Sequence, residues 1–213
     1  MFDVEALTYL FYGRPAFRPN MLAEPTSLGH YFPVCLIFKP TWVAQIKRVF
    51  PFDSGGFVND FYAAYMHKHM KLGDFGLEPD PSTPGRVVTQ FFGSNAAYLN
   101  GQATPAEVDA AQFEALAFAG LVTAKGANSV DSRGSGVELQ TSETVPIADA
   151  VAAVVMPGQF QAGAIGEGLR ALGIELLPYR VTERCRPNEH ASTVSDLCLS
   201  YYVKKGVIAE DDL

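Results

Sequence analysis

The stretch Gly126 to Gln140, GANSVDSRGSGVELQ, consists of a polar, glycine-rich segment followed by a short segment of alternating apolar and polar residues. Residues 126–136 are polar and rich in glycine, which is typical of a loop, and we expect that loop to be mobile. Val137–Gln140 alternates apolar and polar residues, which predicts a short β-strand. Because side chains alternate along a strand, we expect Glu138 to face a pocket while its apolar neighbours face the core.

A carboxylate in this position has a chemical and a structural interpretation. Glu138 can stabilise the positive charge that develops on a sugar carbon when a glycosidic bond breaks. The structural alternative is a solvated glutamate on an edge strand, which is the commoner situation for a single glutamate. A glycoside-type hydrolase would pair Glu138 with Asp53 or Glu143, and that chemistry requires two carboxyl groups about 5–9.5 Å apart.

The rest of the chain predicts a mixture of strands and helices, which indicates an α+β fold. Aromatic and apolar runs predict strands, and apolar residues at spacings of three and four predict helices. We expect strands at 31–38, 86–92 and 174–179, helices at 57–70, 104–118 and 162–172, and a further apolar run at 145–155. Residues 6–12 form either a strand, which their aromatic residues favour, or the last turns of a helix.

Specific signals mark the ends of two of these helices. Thr104 is a suitable N-cap, Pro105 fits the first helical position, and Glu107 completes a capping box. Gly120 and Gly173 lie where glycine commonly ends a helix.

Length and composition are those of one folded domain. The chain has 213 residues, of which 48% are hydrophobic, and this excludes an intrinsically disordered protein. We therefore expect a single domain over residues 1–213, in which residues 201–213 form a partly frayed tail. Aromatic residues make up 12% of the chain, which suits either a dense core or an interaction surface.

Charge and targeting signals narrow the function classes. The formal charge of −7 and the scattered basic residues make non-specific nucleic-acid binding an unfavourable interpretation. No apolar run reaches the roughly 20 residues of a membrane helix, and the first residues do not resemble a signal peptide. We expect a cytoplasmic protein without membrane contact.

The cysteine and histidine residues do not predict a metal site. Cys35, Cys185 and Cys198 have no zinc-binding spacing, and Cys35 is expected to be a buried free thiol. His67 and His69 are two residues apart, on different faces of the predicted helix, so they are poor joint ligands.

Two further segments contain candidate binding residues. In Phe11–Pro15, FYGRP, Arg14 follows an apolar run and can bind a phosphate or carboxylate through two parallel hydrogen bonds, with Tyr12 available to stack on a ring. The alternative for Arg14 is a surface ion pair. In Phe50–Gly56, FPFDSGG, the two glycines allow close approach to a ligand, and Asp53 or Ser54 can equally cap the next helix.

In their order along the chain, these pieces resemble the ADP-ribosyltransferase superfamily. The Tyr12-Gly13-Arg14 element is similar to the family's first motif, Asp53-Ser54-Gly55 to its second, and Val137–Gln140, behind the glycine-rich loop, to its third. The resemblance implies a mixed, split β-sheet flanked by helices that binds NAD in a cleft. It implies transfer of ADP-ribose from NAD to a macromolecular acceptor, as in an intracellular toxin or defence effector.

The same resemblance implies the roles of five residues. Glu138 is the catalytic residue, which binds a ribose hydroxyl and stabilises an oxocarbenium-like transition state. Arg14 binds a phosphate or ribose of NAD, and Tyr12, Ser54 and Gln140 complete the NAD site. Two alternatives stay open, namely a non-catalytic binding module and the carboxylate-dependent hydrolase.

Overall fold

The computed structural model describes residues 5–16, 24–42, 45–124 and 132–212 of the chain. Within these residues it has seven α-helices and six β-strands, so the α+β class is confirmed. The elements are β1 (Thr8–Phe11), β2 (Cys35–Phe38), β3 (Arg48–Phe50), α1 (Ser54–Val58), α2 (Thr83–Phe92), α3 (Asn95–Leu99), α4 (Phe113–Thr123), β4 (Glu138–Thr141), α5 (Ile147–Ala150), β5 (Val151–Pro157), α6 (Ala164–Ala171), β6 (Glu175–Tyr179) and α7 (Ala191–Lys204).

The chain divides into two compact units, whereas the sequence predicts a single domain. The first unit comprises Met1–Ala16, Ala44–Glu143 and Ile208–Leu213, and the second comprises Phe17–Val43 and Thr144–Val207. Each unit contains a three-stranded sheet, in the order β1-β4-β3 in the first and β2-β5-β6 in the second.

The sheet of the first unit is antiparallel, and β4 is its middle strand. Glu138 of β4 lies opposite Phe11 of β1 on one side and Phe50 of β3 on the other. Because side chains alternate along a strand, Glu138 and Gln140 share one face of the sheet, and Val137 and Leu139 share the other. The face of Val137 packs on the core of this unit.

That core is built largely from aromatic side chains. Phe52 lies at its centre, with ring centroids 5.0 Å from Phe75, 5.4 Å from Tyr62 and 6.3 Å from Phe118. Each of these four side chains is at most 3% exposed. A good part of the chain's high aromatic content is therefore core packing, in which tilted and edge-to-face ring pairs are favourable.

The sheet of the second unit has both parallel and antiparallel pairing. Strand β5 pairs antiparallel with β2 and parallel with β6, and α6 connects the two parallel strands. Such a strand is covered on both faces, which explains its continuous apolar sequence VAAVVMP. Tyr201 of α7 is buried in the same core, so residues 201–204 of the tail that we expect to fray are instead the last turn of a helix.

Several predicted elements are confirmed. Strand β1 lies within the predicted range 6–12, and β6 lies within 174–179. Strand β4 covers 138–141, where the sequence predicts a strand at 137–140, and helix α6 lies within the predicted range 162–172. Gly173 follows α6 with φ of 74°, and its N–H donates to Arg170 O, as a glycine cap requires. The three cysteines are free thiols, although Cys35 is only half-buried.

Other predicted elements are wrong, and each has a local reason. Residues 86–92 belong to helix α2, because Pro84 opens the helix and its apolar side chains repeat at helical spacing. The predicted helix 57–70 ends at Val58, and Asp60 adopts φ of 59°, which a helix does not allow. Helix α4 begins at Phe113 rather than Thr104 and continues through Gly120 to Thr123.

Two glycines in α6 provide a matched test of packing. A methyl group on Gly166 would overlap the carbonyl oxygen of Gln161, whereas a methyl group on Gly168 meets nothing within 4 Å. We expect Gly166→Ala to lower the free energy of unfolding by about 1–3 kcal/mol, because backbone must shift to admit the methyl group. Gly168→Ala should raise it by up to about 1 kcal/mol through helix propensity. Urea unfolding measures the free energy of unfolding of both variants. Equal changes in Gly166→Ala and Gly168→Ala would contradict the packing of α6.

Candidate functional site

The Glu138 carboxylate is the centre of the candidate site, and it is completely buried. Its exposed fraction is 0%, and β4 is the middle strand of its sheet. The interpretation of Glu138 as a solvated residue on an edge strand is therefore wrong. A buried carboxylate requires donors that replace water, since an unpaired charge in the interior is very costly.

Three hydrogen bonds supply those donors. Ser54 donates twice, from its backbone N–H to Glu138 Oε2 at 2.9 Å and from Oγ to Glu138 Oε1 at 2.8 Å. Gln140 Nε2 donates to Glu138 Oε1 at 2.6 Å and lies 3.4 Å from Ser54 Oγ. Ser54 and Gln140 are themselves fully buried. The structure thus brings together three of the five site residues that the sequence predicts, and we call them the carboxylate cluster.

The start of α1 places Ser54 against Glu138. Asp53 is the N-cap of this helix, and its Oδ1 accepts a hydrogen bond from Gly55 N at 2.7 Å. The N–H groups of the first turn have no partner within a helix, so that of Ser54 is available to Glu138. The prediction that Asp53 or Ser54 caps the helix is confirmed for Asp53.

One of the two glycines of α1, Gly56, has a packing role. A methyl group on Gly56 would overlap the hydroxyl of Tyr62, which is buried and donates to Asp53 O at 3.4 Å. The sequence predicts that a ligand can approach the backbone closely at this turn. In the structure, the Tyr62 side chain makes this close approach. Glycine at position 56 therefore lets the phenol pack directly against the turn that holds Ser54.

A row of polar side chains leads outward from the carboxylate cluster. The side-chain carbonyl of Gln140 accepts a hydrogen bond from Arg48 Nη1 at 3.3 Å, and the same nitrogen donates to Glu5 Oε2 at 2.9 Å. Lys47 Nζ lies 2.8 Å from the other carboxylate oxygen of Glu5. Arg48 thus links the buried amide of Gln140 to an exposed ion pair.

The surroundings of Glu138 alter its protonation. Burial raises the pKa of Glu138 above its ordinary value, and the charge of Asp53 acts in the same direction. The hydrogen bonds from Gln140 and Ser54 favour the charged form and oppose this shift without cancelling it. Glu138 therefore binds a proton more tightly than an exposed glutamate does.

Tyr12 and Arg14 belong to a second cluster, which is organised around Tyr98. Arg14 Nη1 donates to Ser135 Oγ at 2.8 Å, and its guanidinium lies 5.4 Å from the centroid of the Tyr98 ring. The Tyr98 hydroxyl donates to Tyr12 O at 2.8 Å and accepts from Val137 N at 3.1 Å. Burial raises the pKa of Tyr98 to about 12. Arg14 is thereby anchored beside the segment that leads into β4.

The end of the glycine-rich loop joins the two clusters. Residues 126–131 of that predicted mobile loop lie outside the described residues, and 132–135 form a 3-10 turn. Within this turn, Arg133 O accepts a hydrogen bond from Asp53 N at 3.0 Å. The Arg133 guanidinium lies 4.8 Å from the centroid of the Phe61 ring and 3.9 Å from Asp53 Oδ2. The turn thus contacts the Asp53 cap on one side and Arg14 on the other.

Sequence reasoning misses three residues of this region, namely Arg48, Tyr98 and Arg133. Each acts through a contact with a residue distant in the chain, and nothing in its local sequence distinguishes it. Glu143, a candidate partner of Glu138 in hydrolysis, instead accepts a hydrogen bond from Gln45 N at 2.9 Å.

No protein-family model, no curated protein and no solved structure matches this chain. In the described part of the chain, no three His, Cys, Asp or Glu side chains are grouped as metal ligands. No helix of the described residues has the length and apolarity to cross a membrane. The case for a function therefore rests on the two clusters and their chemistry.

Ser54→Ala tests the hydrogen bonding of the buried carboxylate. Loss of the Oγ donor should lower the free energy of unfolding at pH 7 by about 1–3 kcal/mol, because the buried Glu138 carboxyl loses one of its three hydrogen-bond donors. The same loss raises the pKa of Glu138 further, so the destabilisation should diminish as the pH falls through the raised folded-state pKa of Glu138, and it should be small at the ordinary pKa of glutamate.

Urea unfolding at pH 4 and pH 7 measures this difference. Ser200→Ala is the control, because Ser200 is exposed and its hydroxyl binds only the backbone of its own helix, at Asp196 O. A loss of stability for Ser54→Ala no larger than that of the control would show that Ser54 does not support a buried charge.

Proposed function

We propose that the first unit cleaves the bond between nicotinamide and ribose in NAD and transfers the ADP-ribosyl group to a macromolecular acceptor. The observation that carries this proposal is the carboxylate cluster, in which Glu138 is buried and held by Ser54 and Gln140. The turn at 132–135 joins this cluster to Arg14, which donates to Ser135. The order of these residues along the chain is that of the ADP-ribosyltransferase resemblance.

The chemistry of Glu138 suits cleavage of this bond. The bond between C1′ of the ribose and the ring nitrogen of nicotinamide breaks, and its electron pair leaves with the nicotinamide. Positive charge then develops on the ribose, and a fixed carboxylate in a water-poor site stabilises it far more effectively than a solvated one does. The acceptor nucleophile forms the new bond to C1′ and releases its proton.

Ser54 and Gln140 would act by positioning Glu138. Their three hydrogen bonds fix both carboxylate oxygens, so that little reorganisation is needed when charge develops. Because burial raises the pKa of Glu138, loss of activity on acidification is expected at a higher pH than for an ordinary glutamate. Since Glu138 is fully enclosed, NAD cleavage requires the covering side chains to move aside when NAD binds.

Arg14 would bind a phosphate of NAD. A guanidinium presents its N–H groups in a rigid fork that matches two phosphate oxygens. Its contact with Ser135 and its position over Tyr98 limit its rotamers and so reduce the entropy lost on binding. Tyr12, which donates to Asn95 Oδ1 at 3.4 Å, lies beside Tyr98 in the same cluster.

A non-catalytic binding module is the second candidate, and the complete burial of Glu138 favours it. In that case the cluster has a structural role, in which the carboxylate ties the start of α1 to β4. The hydrogen bonds of Glu138 to Ser54 and Gln140 are what such a role requires.

Nicotinamide release from NAD by the purified chain separates the two candidates, with water serving as acceptor. We expect Glu138→Gln to lower kcat by about 100-fold or more, and Arg14→Ala to raise KM by about tenfold or more. The matched controls are Glu78→Gln and Arg86→Ala, which remove an exposed ion pair of the same unit and should leave both constants unchanged.

Full activity of Glu138→Gln would refute the assignment of Glu138. Folded wild-type protein that neither binds NAD nor releases nicotinamide would favour the binding module.

A further inference from the structure

A cavity of about 550 Å³ lies beside the outer edge of β3 in the first unit. Small-molecule sites in proteins commonly have volumes of about 300–1,000 Å³. The segment 71–77 forms the side opposite β3, and Leu77 N donates to Val49 O at 2.9 Å to join the two. The cavity therefore lies between two backbone segments that this hydrogen bond joins.

The charged residues that line this cavity are all cations. They are Lys47, Arg48 and Lys71, and no carboxylate is among the lining residues. Glu5 forms ion pairs with Lys47 and Arg48, at 2.8 and 2.9 Å, so this rim already binds one carboxylate. Among the described residues, Lys71 takes part in none of the ion pairs. Lys47 and Lys71 therefore place two ammonium groups on the lining of the cavity.

Apolar side chains complete the lining. Val58 at the end of α1 is 50% exposed, and it faces the same cavity as Leu72 and Leu77. An apolar surface beside two ammonium groups suits a ligand that has a flat apolar part and a compact anionic part.

We propose that this cavity binds a small phosphomonoester with a ring system, of the size of a mononucleotide. A phosphomonoester carries a charge of about −1.5 to −2 at pH 7, which suits a lining whose charged residues are all cations. Its phosphate would lie between Lys47 and Lys71, and its ring would pack on Val58, Leu72 and Leu77. This proposal is independent of NAD cleavage at Glu138.

AMP binding measured by isothermal titration calorimetry tests the proposal, with adenosine and inorganic phosphate as partial ligands. We expect AMP to bind more tightly than either one, because each lacks one of the two contacts. Lys71→Gln should weaken AMP binding by about tenfold, since it removes a charge-assisted contact. Lys68→Gln is the control, because Lys68 is exposed and does not line the cavity.

Glu5→Gln should strengthen AMP binding, whereas Lys71→Gln should weaken it. Glu5→Gln removes a carboxylate that competes with the phosphate for Lys47, so AMP should bind several-fold more tightly. Arg14 does not line the cavity, so Arg14→Ala should leave AMP binding unchanged even where it weakens NAD binding, and this separates failure of this proposal from failure of the proposed function.

Three results would overturn the proposal. One is AMP binding by Lys71→Gln that equals wild type, and another is adenosine that binds as tightly as AMP. The third is AMP binding that is lost in Arg14→Ala instead of Lys71→Gln, which would place AMP in the NAD site.

Discussion

The first unit depends on the burial of one carboxylate. Glu138 lies on the middle strand of its sheet without contact with water, and such a charge is tolerated only where donors replace its hydration. Ser54 provides two of these donors from the first turn of α1. The carboxylate thereby fixes the helix start against β4, across a separation of 84 positions in the chain.

Constraints on neighbouring segments follow from that contact. Asp53 must cap α1 for the Ser54 N–H to point at Glu138, and glycine at position 56 must admit the Tyr62 hydroxyl. Gln140, two residues along the same strand, shares the face of Glu138 and carries the polar contact outward to Arg48. One buried charge therefore connects the core, the turn before α1 and the cationic rim of the cavity.

The elements that were predictable from sequence are those whose signal is local. The alternation in Val137–Gln140 indicates both the strand and the shared face of Glu138 and Gln140, and the turn residues before α1 indicate the Asp53 cap. Residues 86–92 are rich in β-branched and aromatic residues, which favours a strand, but Pro84 and helical spacing of apolar residues decide for α2. The predicted capping box at Thr104 does not form, and the Thr104 N–H instead donates to Phe91 O.

Arg48, Tyr98 and Arg133 were not predictable, because their roles depend on partners brought close only by the sheet register and the turn at 132–135.

The measurement that tests this account most directly is the titration of Glu138 by carbon-detected NMR of its side-chain carboxyl, assigned by comparison with Glu138→Gln. The account predicts a pKa above that of an ordinary glutamate, since burial outweighs the three hydrogen bonds. A group of this kind binds its proton more tightly in the folded state, so wild type should lose stability relative to Glu138→Gln as the pH rises from the ordinary glutamate pKa to the folded one. An ordinary pKa, with no such change in relative stability, would contradict the claim that a buried carboxylate organises this site.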